Sequence, residues 1–165
     1  MAIKTLEDLF IHELSDIYSA EKQLTKALPR LARASSDPKL STAFETHLEE
    51  TQGQVERIDQ VTELLGIRLK RIKCVAMEGL VEEGKEVIDS IEEGPVRDAA
   101  LIGGAQKVEH YEIASYGTIT ALAKQLGYKD AIPLLLETLE EEKATDEKLT
   151  NLAKSGGNAK AAEAS

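Results

Sequence analysis

The sequence predicts an all-α chain: a four-helix bundle with one crossover connection and an additional short helix. Three observations carry this. Apolar residues recur at 3-4 spacing along four long segments, the repeat of one helix face. Aromatics make up only 4% of the 165 residues and Trp is absent, a composition poor in strand formers. The long segments come as two pairs, each joined by a short break and separated from the other by one long connector, as in single-crossover bundles.

The first helix is expected from about Thr5 to about Ala34. Thr5 with Asp8 resembles a capping box, Asp standing where Glu or Gln is usual. Its stripe is Phe10, Leu14, Ile17, Glu21, Leu24, Leu28 and Leu31, and Pro29 within it should kink or end it early. Asp37 is placed to cap the second helix, with Pro38 at its first position. That helix carries Leu40, Phe44, His47, Thr51, Gln54, Ile58, Val61 and Leu65, and Gly66 ends it. The connector opens with the basic residues Arg68, Lys70, Arg71 and Lys73, read as solvated, and continues as a shorter amphipathic helix from about Cys74 to Ile91, weakened by Gly79 and Gly84. Gly94-Pro95 starts the third long helix, about Val96 to Leu126. Its stripe is Ile102, Ala105, Glu109, Glu112, Tyr116, Ile119, Ala123 and Leu126. Gly103-Gly104 within it reads as a point of close helix packing. After Gly127-Tyr128, Asp130 is placed to cap the last helix, with Pro133 in its first turn. That helix carries Ile132, Leu135, Leu139, Glu142, Asp146, Leu149 and Ala153. One bundle domain is expected over 1–155, and a disordered tail over 156–165, which opens with Gly156-Gly157-Asn158.

The net charge of -10 and a pI near 4.9 argue against a nucleic-acid partner, because phosphate binding needs clustered positive charge. Cys74 is the single cysteine, so no internal disulfide forms. No apolar run is long enough to span a bilayer and no signal core opens the chain, so no membrane partner and a cytoplasmic location are expected.

All four stripes fail at about the same level. Glu109 and Glu112, one turn apart, occupy positions aimed at the core, and Glu21, Glu50 and Glu142 bring acid to that level from the other helices. A buried ionised carboxylate is costly unless it is paired or binds a metal. Carboxylates at i and i+3 on facing helices can surround two divalent cations, which offset the anionic repulsion. His47 and Asp146, one turn from Glu50 and Glu142, could complete the shell. Tyr18 and Tyr116 lie one turn from Glu21 and Glu112, within reach of a carboxylate. The bland alternative is that acids this abundant fall on apolar periods by chance or pair at a rim. The two halves are faintly alike: the shift that puts Glu21 on Glu112 puts Glu50 on Glu141, whereas the stripe favours Glu142, which leaves the register of the last acid open by one residue.

The segments Leu14–Leu24, His47–Ile58, Ala105–Tyr116 and Leu139–Asp146 resemble the YciF-type bacterial stress proteins of the ferritin-like superfamily, with a bundle similar to rubrerythrin and bacterioferritin. The resemblance covers nearly all of the chain except the tail. It implies a ferritin-like helical homodimer linked to stress responses. It also implies, residue by residue, a first-helix Glu at Glu21 and the Glu-x-x-Glu of rubrerythrin-like sites at Glu109 and Glu112. The usual Glu-x-x-His of the second and fourth helices is absent: Glu50 is followed by Gly53 and Glu142 by Thr145, while His47 precedes Glu50. Two readings compete. In one, a pair of divalent cations, iron ahead of manganese, oxidises iron(II) or consumes peroxide, with oxygen or peroxide as the small oxidant. In the other, the chain is a non-catalytic stress or interaction protein with a vestigial site.

Overall fold

A computed structural model describes residues 2–164. Its elements are α1 (Leu6–Ala34), α2 (Pro38–Leu65), α3 (Val75–Ser90), α4 (Pro95–Leu126), α5 (Ile132–Leu152), a π-helical turn (Ala153–Gly157) and α6 (Asn158–Glu163). No strand occurs among the described residues. Among the described residues, no helix is long and apolar enough to cross a membrane.

α1 with α2 and α4 with α5 form hairpins, and these pack through α2 on α5 and α1 on α4. α3 lies outside the four-helix core, against α1 and α4. The start of α4 sits beside the α1–α2 turn, because the buried Asp98 carboxylate accepts from the backbone N–H of Ser36 (2.8 Å) and Asp37 (2.9 Å). The crossover therefore runs back along the length of α1. Hydroxyls hold it there: Ser15 accepts from the Lys70 N–H at 2.9 Å and Ser19 from the Cys74 N–H at 2.9 Å.

The helix ends follow local chemistry. The Thr5 hydroxyl accepts from the Asp8 N–H at 3.0 Å and the Asp8 carboxylate accepts from the Thr5 N–H at 3.1 Å, a closed capping box. Asp37 accepts from the Lys39 N–H at 2.9 Å above Pro38. Gly66 and Gly127 end α2 and α4 at φ 61° and 75°, a left-handed conformation that glycine adopts without steric cost.

Four expectations need correction. Pro29 does not end α1 early; the helix continues to Ala34, the lost N–H costing one backbone bond in a helix packed on three neighbours. Asp130 does not cap α5. The chain turns through a bond from the Ala131 N–H to the Tyr128 carbonyl, so Ala131 takes the cap position without a side-chain bond. Gly103 and Gly104 are not sites of close packing, since a Cβ built on either meets nothing within 4 Å. Beyond Gly156, whose φ of 148° kinks the chain, the expected disordered tail continues as α6, built from Ala and Lys and laid against α4.

The stripes form the core. Phe10, Leu14, Ile17, Ile58, Val61, Ile119 and Ala123 are almost fully enclosed, and each large aliphatic side chain so buried is worth roughly 1.5–3 kcal/mol. Phe10 closes one end by an edge-on contact with Tyr128, ring centres 5.2 Å apart. α3 buries Met77 fully and lays Leu80, Val81, Val87 and Ile88 on this core.

Candidate metal centre

Midway along the bundle the apolar layers give way to a polar level. α1 supplies Glu21, α2 His47, α4 Glu109 and Glu112, and α5 Glu142; each is at most 4% exposed. Each lies on its helix's inward stripe, so the periodicity that builds the core also delivers these groups into it. His47, Glu109, Glu112 and Glu142 each offer one ligand atom within 4.8 Å of the others, and this cluster could hold a metal ion. Glu21 joins this level from α1, and its carboxyl is electrostatically linked to those of Glu112, Glu142 and Glu109.

The polar atoms of this level lack partners. Both oxygens of Glu21, Glu112 and Glu142, one oxygen of Glu109 and the Tyr116 hydroxyl are buried without a hydrogen bond. Natural interiors satisfy nearly all such atoms. His47 Nε2 approaches Glu109 Oε1 to 2.6 Å, yet without hydrogen-bond alignment. Two groups that converge on a common point, rather than on each other, produce this arrangement. The donor set, carboxylate oxygens with one imidazole, suits a divalent first-row ion.

Electrostatics agree. Burial pushes the carboxyls of Glu21, Glu112 and Glu142 well above the ordinary carboxyl range, and the neighbouring acids add to this. Burial opposes a charge on His47, but Glu109 and Glu50 outweigh it and push its pKa up to about 10. Without a cation these shifts favour a proton on His47 and on Glu21, Glu112 and Glu142. Burial likewise raises the Tyr116 phenol, with Glu21 and Glu112 adding to it.

The other two sequence candidates stand apart. Glu50 is half-buried at the rim, 3.7 Å from His47 Nδ1, and accepts from the Thr145 hydroxyl at 3.1 Å. The His47 contact holds its carboxyl below the usual range. Asp146 accepts from Gln106 at 3.3 Å and lies 3.2 Å from the exposed His110. The residues pointing inward at these heights are Thr51 and Thr145, one helical position away from each acid. Tyr18 is partly buried under the Lys22 ammonium, a cation–π contact of 4.6 Å. The open register at the last acid resolves in favour of the stripe. Glu142 is enclosed, whereas Glu141 lies at the rim and takes the Arg57 guanidinium, with Gln54 beside it. Sequence reasoning missed Arg57, which ties α2 to α5 through Glu137 and Glu141. A lone arginine on a polar face carries no signal without knowledge of the facing helix.

Comparison with known proteins shows the family. The chain is 68% identical to Protein YciF of Escherichia coli (strain K12) over 162 residues, 98% of each chain. The crystal structure of that E. coli stress protein matches with a TM-score of 0.92 over 94% of this chain and 99% of that one. YcfI of Rhodopseudomonas palustris, provisionally named a structural protein, matches at 47% identity and a TM-score of 0.87, over 90% of this chain and 94% of that one. A Xanthomonas campestris pv. campestris protein at 23% identity shares the fold, with a TM-score of 0.73 over 94% and 93% of the two chains. The family model described as Domain of unknown function (DUF892) matches residues 5–162, and the chain belongs to that family.

Proposed function

We propose that this is a ferritin-like stress-response protein whose bundle holds two divalent cations, iron ahead of manganese, and oxidises iron(II) slowly, with peroxide at least as good an oxidant as dioxygen. The observation that carries the reading is the convergence of His47, Glu109, Glu112 and Glu142 within 4.8 Å of one another, buried and with unpartnered oxygens. These four would hold one cation. Glu21 and the remaining oxygen of Glu112 would serve the second, while Glu50 stands at the rim beside His47.

Bound cations would supply electron transfer and neutralise the acids that crowd this level. The chain does the rest. Protons held on Glu21, Glu112 and Glu142 are released as cations enter, and His47 gives up its proton to become a donor. An acidic donor set favours the higher oxidation state. The balance is simple: two iron(II) ions each lose one electron, and one peroxide takes both, with two protons, to give two waters. The apolar layers that pack around this level would restrict the entry of water. Rapid mixing of iron(II)-loaded protein with peroxide or oxygen, followed by absorbance, tests this. Oxidation faster than in buffer, and lost in Glu112→Ala, is expected. Rates equal to buffer for both proteins would leave the non-catalytic reading standing, which the name of the R. palustris relative favours.

A cytoplasmic homodimer is part of the proposal. α3 lays most of its apolar face on its own bundle. The resemblance to YciF-type proteins therefore weighs most in favour of a dimer, and light scattering on the eluting protein is its test.

A further inference from the structure

Between α1, α3 and α4 runs a groove of about 580 Å³, within the ~300–1,000 Å³ of small-molecule sites. None of the five enclosed polar residues of the metal centre lines it. Its floor is α4, where Leu101, Ala105 and Val108 are buried beneath it, and its α3 wall presents Val81 and Ile88. Gly104 sits in this floor, and a Cβ built on it would meet nothing within 4 Å. Neither packing nor backbone conformation requires glycine there, in mid-helix where glycine costs about 1 kcal/mol relative to alanine. Its effect is to keep the groove deep.

The rim is charged against the trend of the molecule. In a chain of net charge -10, Lys26, Arg30, Lys85 and Lys107 line the groove against only Glu83 and Glu86. Lys107 is spent on Glu83 at 3.9 Å and Lys85 on Glu82 at 3.6 Å. Lys26 and Arg30 form no ion pair among the described residues, and stand one turn apart on α1, a like-charged spacing that costs the helix a few tenths of a kcal/mol. An apolar trough with two uncommitted cations on one wall is complementary to a ligand with an aliphatic tail and an anionic head.

We infer that the α1–α3–α4 groove binds a single-chain aliphatic carboxylate, its tail along Leu101, Gly104 and Val108 and its head at Lys26 and Arg30. Titration calorimetry of the full chain with dodecanoate below its micelle concentration tests this, with acetate and dodecyltrimethylammonium as probes of head and tail alone. Saturable binding of dodecanoate is expected, at least tenfold tighter than the cationic analogue, with no heat from acetate. Gly104→Leu, which fills the trough, should weaken it tenfold or more. Lys26→Glu/Arg30→Glu should do the same from the surface, and thermal melting of both variants establishes that they fold. Absence of saturable binding overturns the inference. So does equal binding of the cationic analogue, or affinity unchanged in both variants. A wild-type dimer that Gly104→Leu converts to monomer also overturns it, because the occupant is then a second copy of the chain.

Discussion

The two hairpins are built on one plan and armed differently. The shift that lays Glu21 on Glu112 also lays His47 on Thr138, Thr51 on Glu142 and Gln54 on Thr145, and all eight side chains are buried. Four backbone positions of each hairpin are therefore matched, while Glu109 has the partly buried Tyr18 as its counterpart. Their chemistry is not: the α4–α5 hairpin gives Glu109, Glu112 and Glu142, while the α1–α2 hairpin gives Glu21 and His47, with Thr51 where its counterpart has a carboxylate. Thr51 turns its hydroxyl back to the His47 carbonyl at 2.7 Å and adds no donor to the centre. A level with acid at every matched position would carry more repulsion without a cation. The asymmetry limits how much repulsion a bound cation would have to offset.

The largest expected effect comes from disarming the richer hairpin. A cation present at about a hundred times its Kd should stabilise the wild type by about 2.7 kcal/mol, roughly 5–11 °C for a chain of this size. In Glu109→Gln/Glu112→Gln this rise should vanish while the metal-free protein holds or gains stability. Calorimetry with manganese(II) measures both, and an equal rise in the two proteins would exclude these residues as ligands.

Arming the poorer hairpin sharpens the comparison. Thr51→Glu adds a buried acid at the position matched to Glu142 and should cost the metal-free protein about 1–3 kcal/mol. Manganese(II) should recover part of that loss, so the cation-induced rise exceeds that of wild type in urea unfolding. A rise no larger than wild type would mean that position 51 does not reach the centre.

Proton linkage gives a third effect. Glu21, Glu112 and Glu142 have folded-state pKa values raised above 4.5, so their stabilising contribution is complete below that pH and is lost as pH rises through the folded values. His47, raised from 6.5 to about 10, adds a contribution that is lost as pH climbs through 10. Metal-free stability at this level should therefore fall with increasing pH above 4.5, and the cation-induced rise should grow because binding expels these protons. Unfolding curves at pH 6 and pH 8, with Glu112→Gln showing a flatter dependence, read this directly.

The smallest effect lies at the end of the bundle. Asp98→Ala removes the acceptor shared by the Ser36 and Asp37 N–H groups and should cost about 1–2 kcal/mol with the metal response unchanged. A diminished metal response would mean that the hairpins' docking governs the centre.

Most of the fold was legible, because 3-4 periodicity is a property of the chain itself. Glu109 and Glu112 were legible for the same reason: they broke a stripe that Ile102, Ala105, Tyr116 and Ile119 established around them. Glu50 and Asp146 stand at the rim because each lies one position from an inward threonine, and which of two adjacent positions faces the centre depends on how each helix is rotated against its neighbours. Arg57 and Asp98 were invisible, since their partners come from distant segments. The Ala131 cap and the Gly104 trough belong to the same class: one depends on how a turn closes, the other on what fails to approach.

The hydroxyls of Ser15 and Ser19 have a further consequence. Spaced like successive turns of α1, they bind the amides of Lys70 and Cys74, which belong to no helix, and Gln23 adds a bond to the Cys74 carbonyl at 3.0 Å. The connector is thus stitched to α1 in a fixed register. Its amide hydrogens at these two positions should exchange with solvent as slowly as those of the helix beneath, reporting the opening of α1 rather than the wandering of a loop.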